Sequence, residues 1–217
     1  MISDNEKNLI NFVINQLENV DDNLIIDVGA RIGNWTNILI EHFPNSNFIC
    51  FEPDIVAYEI LLNQYKNKSN IKVFNYGIGD EDKKEEYNFV KNAPGHSSFV
   101  MRPHFNVEQV EKREIDVFRI DNILNEKISY LKIDTEGYEY NVLKGASELL
   151  KNKKIEFIQF EYGGTFREIG VKLTDVIAFL NNYDYSVYEI INDKPKAILS
   201  YVDDYQYNNF IATKYNL

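Results

Sequence analysis

Short apolar runs separated by helix-period segments constrain this chain more than any other feature. Leu24-Ile25-Ile26-Asp27-Val28, Phe48-Ile49-Cys50-Phe51 and Ile71-Lys72-Val73-Phe74 are long enough for strands and too short for helices. Between them, residues 34–43 and 54–65 carry helical spacing, and Pro44 stops the first of these segments. The pattern repeats with strands at 130–133 and 155–160. They flank a helix expected over 138–150, where Val142, Leu143, Ala146 and Leu149 share a face. A helix at 174–182 and strands at 185–190 and 209–213 follow. Such alternation predicts a mostly parallel sheet with crossover helices on both faces.

Two regions depart from this rhythm. Ser3-Asp4-Asn5-Glu6 is a capping box before Leu9, Ile10, Val13, Ile14 and Leu17, so residues 1–20 should open the chain with an amphipathic helix. Residues 83–118 hold Pro94, Gly95 and Pro103 and read as an irregular insertion, with some antiparallel strand at 85–90 and 112–118. Beside the sheet's C-terminal edge it is either a substrate lid or a surface excursion. With no repeat or linker, residues 1–217 read as one domain.

The net charge of −11 argues against nucleic acid as partner. No apolar run reaches membrane-spanning length, and the polar, acidic start is unlike a signal peptide. A cytoplasmic, reducing location is expected; the single cysteine, Cys50, lies in an apolar run and reads as core.

In an open α/β sheet, ligands bind beyond the C-terminal ends of the strands. Asp27-Val28-Gly29-Ala30-Arg31-Ile32-Gly33 is a glycine turn after the first strand. Gly29 permits close backbone approach and Gly33 close packing of the next helix. It is not a dinucleotide fingerprint, because Arg31 stands at the middle glycine position. Glu52, followed by Pro53, ends the second strand, where a carboxylate can accept hydrogen bonds from ribose hydroxyls. The turn and the acid together suit an adenosine-bearing ligand.

Those motifs, with Lys132-Ile133-Asp134-Thr135-Glu136-Gly137-Tyr138-Glu139 and Val142-Leu143-Lys144-Gly145-Ala146, resemble the FkbM family of methyltransferases. The likeness runs from about residue 23 to 161; the family pattern usually has Asn where this chain has Arg31. The resemblance implies a Rossmann-like class I methyltransferase fold, with a seven-stranded sheet containing one antiparallel strand. It implies S-adenosylmethionine as cofactor and transfer to a hydroxyl oxygen, often of a sugar or polyketide. By position, the turn from Asp27 through Gly29, Ala30, Arg31 and Gly33 would hold the methionine part, and Glu52 with Pro53 the ribose. Asn75, Tyr76, Gly77 and Ile78 would flank the adenine. Asp134 would lie near the amino group or the reaction centre.

A hydroxyl is a poor nucleophile, so a base or a metal must assist it. Candidate bases are Asp134, Glu136, Glu161, His96 and His104; Glu136 could instead cap the following helix. His42 reads as surface. Asp134 and Glu161 should end neighbouring strands and could hold Mg²⁺, though a metal-free site is preferred. The expected acceptor is a sugar or glycan. The alternatives are a small polyketide-like acceptor, a nucleotide-binding oxidoreductase, and a non-catalytic adenosine-ligand sensor.

Overall fold

In the computed structural model, which describes residues 4–17, 23–198 and 205–217, the apolar runs form the centre of an eight-stranded sheet. Helix α1 (Asp4–Leu17) precedes β1 (Leu24–Val28), α2 (Asn34–His42), β2 (Asn47–Phe51), α3 (Ile55–Tyr65) and β3 (Ile71–Phe74). The short β4 (Gly77–Ile78) leads to β5 (Lys83–Val90) and β6 (Val110–Phe118), then α4 (Ile120–Ile123) and β7 (Ile128–Ile133). Helices α5 (Glu139–Gly145) and α6 (Ser147–Lys151) follow, with β8 (Ile155–Tyr162), α7 (Thr165–Glu168) and α8 (Leu173–Asn181). Strands β9 (Ser186–Ile191), β10 (Lys194–Ala197) and β11 (Asn208–Thr213) come last. The capping residue Ser3 and residues 18–20 of the expected first helix lie outside the described residues. Among the described residues, no helix is long and apolar enough to cross a membrane.

The strand order is β10-β9-β11-β8-β7-β1-β2-β3. Neighbours from β3 to β8 pair in parallel, and β11 runs antiparallel between β8 and β9. Without β10 this is the expected seven-stranded arrangement. The eighth strand is a correction. Its sequence, Lys-Pro-Lys-Ala, has no apolar alternation, and only the turn Asn192-Asp193, both at positive φ, signals the hairpin. Side-chain alternation splits the core. Ile25 and Tyr130 face a cluster with Leu9, Val13, Leu17 and Trp35, while Ile26 and Leu131 face one with Val142, Leu149 and Leu180.

The antiparallel strands expected at 85–90 and 112–118 are present and slightly longer: β5 and β6 pair from Lys83↔Val117 to Val90↔Val110, and the loop 91–109 joins them. Two further expectations change. The single helix over 138–150 is two helices. Asp121 accepts hydrogen bonds from Glu148 N and Leu149 N at 2.9 and 3.0 Å, giving α6 its own N-terminal cap from outside. Residue 161 does not end its strand, since β8 continues to Tyr162 and Glu161 pairs with Asn209.

Gly29 holds the two central strands together at the site. Its φ is 82°, and a Cβ there would lie 1.9 Å from the Asp134 carbonyl oxygen. The constraint is the approach of two backbones, not only room for a ligand. Gly29→Val should therefore destabilise the fold by roughly 2–5 kcal/mol, combining left-handed strain with overpacking. Denaturant melts of wild type and variant measure this; an unchanged midpoint would contradict it.

Candidate functional site

The C-terminal edge is built on a buried ion cluster. Lys132, on β7, is 3% exposed; its Nζ lies 3.2 Å from Asp27 Oδ1 and 3.2 Å from Asp134 Oδ2. Asp27 is 1% exposed, and its other oxygen accepts the Thr36 hydroxyl at 2.6 Å. Burial opposes the charge on Lys132, but Asp134 and Asp27 outweigh it and hold the ammonium above the usual lysine range. In the sequence Lys132 carries no mark of this role, because a lysine in an apolar strand resembles a solvated residue. Its only signal is its place in a strand buried on both faces.

Glu52 forms the next strand end. It is 5% exposed; Oε2 accepts Arg31 N at 2.7 Å and Oε1 accepts Asp54 N at 2.8 Å. Burial pushes its carboxyl up to about 7 despite those two hydrogen bonds. Asp54 caps α3 by accepting Val56 N and Ala57 N, and Arg113 of β6 anchors it at 2.7 Å. The Asn75 amide is spent on the carbonyls of Glu52 and Pro53 at 2.9 and 3.0 Å, so it shapes this turn from behind.

The turn after β7 is closed by Glu139, which sequence reasoning left out. Fully buried, it accepts Thr135 N at 2.7 Å and Gly137 N at 2.9 Å, and burial pushes it up to about 7. The helix cap expected of Glu136 is not formed: α5 begins without a side-chain cap, and Glu139 ties the turn that precedes it. Glu136, at φ 59°, turns instead to Arg102 of the 91–109 loop and ion-pairs with it. Arg102 is 5% exposed and also reaches His96 Nδ1 at 3.1 Å. A guanidinium can only donate, so Nδ1 accepts and the proton of neutral His96 sits on Nε2. Partial burial, then Arg102, His104 and Arg31, lower the His96 pKa below its ordinary 6.5. The Ser98 hydroxyl donates to the Thr135 carbonyl at 3.0 Å, a second tie between loop and turn.

Between these elements lies a cavity of about 390 Å³, within the range of small-molecule sites. Gly29, Ala30, Arg31, Glu52 and Pro53 line it on one side; Tyr76, Gly77 and Ile78 form part of another wall, and Asp134 and Glu136 also line it. Asp27, Gly33 and Asn75 sit behind the wall as supports. His96 stands at the rim with its side chain 52% exposed. Glu161 lies beneath the wall, and its carboxylate comes within 4.8 Å of those of Asp134 and Glu136. Burial, then Asp134 and Glu139, hold it well above the carboxylate range. His42 is on the surface, its ring against the Ile38 carbonyl. Cys50 is buried and its thiol is pushed up to about 12 by burial, so it is core and not nucleophile.

Strand order and edge together define a class I methyltransferase fold. A Streptococcus mutans chain solved in complex with SAH superposes at TM-score 0.51 with 14% identity, over 98% of this chain and 99% of that one. The FkbM methyltransferase structure from Methylobacillus flagellatus superposes at 0.58 with 19% identity, over 89% of this chain and 44% of that one. The methyltransferase FkbM domain model matches residues 27–187, and the chain belongs to that family. Methyltransferase 1 of Beauveria bassiana is 26% identical over 149 residues, 59% of this chain and 60% of its own length. Methyltransferase sdnD of Sordaria araneosa is 26% identical over 168 residues, 61% of this chain and 65% of its own. This chain therefore aligns with less than two thirds of either fungal relative.

The Arg102 contact yields a direct test. Arg102→Leu removes a neighbouring positive charge and the donor that requires a neutral Nδ1, so the His96 pKa should rise. An NMR titration of the three histidines reads it. His96 should titrate below 6.5 in the wild type and higher in the variant; identical midpoints would remove Arg102 as a cause.

Proposed function

We propose that this chain is an S-adenosylmethionine-dependent O-methyltransferase acting on a hydroxyl of a sugar or glycan. The observation that carries the reading is Glu52: a carboxylate buried in the cavity wall, fixed by two backbone N–H groups, one of them from the glycine turn. Each oxygen retains a lone pair for a ribose hydroxyl. The cavity also suits a polar ligand. The Trp35 indole N–H and the Thr135 hydroxyl are buried without hydrogen-bond partners, and both residues line it. Such orphaned groups are costly until a ligand satisfies them.

The cofactor would supply an electrophilic methyl group on a positively charged sulfonium. Glu52 and Asp134, both in the cavity wall, favour such a cation. Asp134 faces the cavity with its side chain 34% exposed and is held in place by Lys132. It is the group we assign to take the acceptor proton, with the Glu161 carboxylate within 4.8 Å of it. Glu136 is committed to Arg102, which leaves the three-acid cluster partly neutralised and favours a metal-free route. A second acceptor class, a small polyketide-like alcohol, is favoured by one feature: Val56 and Ile60 of α3, 54% and 46% exposed, stand with Phe89 at the cavity. The glycine turn that lacks its middle glycine argues against the oxidoreductase reading.

Incubation with labelled cofactor and panels of sugars, glycans and hydroxylated polyketides, read by mass spectrometry, tests the reaction. Methylated oxygen is the expected product, and methylation only at nitrogen or carbon would refute it. Asp134→Asn should lower the rate by roughly 10²–10⁴ while changing cofactor affinity much less. Chelator treatment should leave the wild-type rate unchanged; loss restored by Mg²⁺ would overturn the metal-free assignment.

Glu52 gives a pH prediction. Its carboxyl is protonated below about 7 and ionised above. The ionised form is the better acceptor, so S-adenosylhomocysteine affinity should fall on acidification, by up to about tenfold per pH unit below that midpoint. Calorimetry from pH 8 to pH 5.5 should show this in the wild type and a flatter, weaker profile in Glu52→Ala. Equal affinities at all pH values would exclude Glu52 as a ligand.

A further inference from the structure

Arg31 is a cation that the fold itself does not require. Its backbone lies at φ 52°, and its N–H is fixed by Glu52. The guanidinium reaches across to the 91–109 loop, where a Cβ on Gly95 would lie 2.7 Å from its Cζ. Lys132, the other basic residue lining the cavity, is buried and bonded to Asp27 and Asp134. Arg31 is exposed, and among the described residues no carboxylate pairs with it.

The surrounding charge gives this cation a task. Glu52, Asp54, Asp134 and Glu136 line the same cavity in a chain of net charge −11; Arg113, Lys132 and Arg102 pair with the last three, and Glu52 is held by backbone N–H groups alone. That field favours the sulfonium and ammonium groups of the proposed cofactor and opposes its carboxylate. A planar guanidinium is suited to pair with a carboxylate through two parallel hydrogen bonds.

We infer that the Arg31 side chain binds the carboxylate of the cofactor's amino-acid end, and that its packing on Gly95 lets the bound carboxylate hold the 91–109 loop over the cavity. This rests on the cofactor reading above. It adds that Arg31 recognises one group of the cofactor and links that recognition to closure of the loop.

The test compares S-adenosylhomocysteine with its decarboxylated amine, which keeps adenosine, thioether and ammonium. Calorimetry on the wild-type chain should show a preference for the carboxylate-bearing compound of roughly 10- to 100-fold. Arg31→Gln should bind both about equally, its affinity for the amine reporting an intact site. Arg31→Lys should keep part of the preference. Gly95→Ala, which displaces the guanidinium without removing it, should reduce the same preference and serves if Arg31→Gln does not fold. Hydrogen exchange should show residues 91–109 protected by S-adenosylhomocysteine in the wild type and not in Arg31→Gln. Full preference retained in Arg31→Gln overturns the inference while leaving the cofactor reading intact. Absence of binding of either compound to the wild type overturns both.

Discussion

The site depends on one buried interaction, the bridge of Lys132 between Asp27 and Asp134. It joins the two central strands, on which Asp27 and Lys132 are register partners. A buried charge without partners would be strongly destabilising, so the cluster holds only as a set. Asp27 fixes the lysine from β1, Thr36 of α2 fixes Asp27, and the lysine fixes Asp134 at the cavity wall. The acid that faces the cavity is thereby positioned by an acid that does not.

The same logic explains how so much negative charge is tolerated at one edge. Glu52 and Glu139 are buried, and each is held by backbone N–H groups of a tight turn, so their hydrogen bonds shape the loops that surround the cavity. Burial still raises both carboxyls to about 7, which leaves them poised between charged and neutral forms. The loop 91–109 adds the compensating positive charge, with Arg102 on Glu136, and closes the edge from the side of a second, three-stranded sheet of order β4-β6-β5.

Much of this was legible in the sequence because the sheet is buried on both faces and its strands are plain apolar runs. Strand β3 and the helices α2 and α3 fall within a residue of expectation, and Asp54 caps α3 at the expected boundary. What escaped depends on contacts between distant segments. The break between α5 and α6 comes from Asp121, and β10 is a polar edge hairpin. In the site, Glu52 and the glycine turn were legible from strand ends and spacing. The roles of Lys132, Glu139 and Arg102 were not, because each acts through partners elsewhere in the chain. Asn75 and Asp27, read as ligand-facing, support the wall from behind, and His96 stands at its rim.

On the proposed reading, this edge holds an adenosyl sulfonium cofactor and not a dinucleotide. Thermal unfolding of the wild-type chain with saturating S-adenosylhomocysteine, and separately with NAD, tests it directly, because a ligand that binds the folded state raises its apparent stability. The melting temperature should rise by several degrees, increasing with S-adenosylhomocysteine concentration, and should not change with NAD. Stabilisation by NAD alone, or by neither compound, would contradict it.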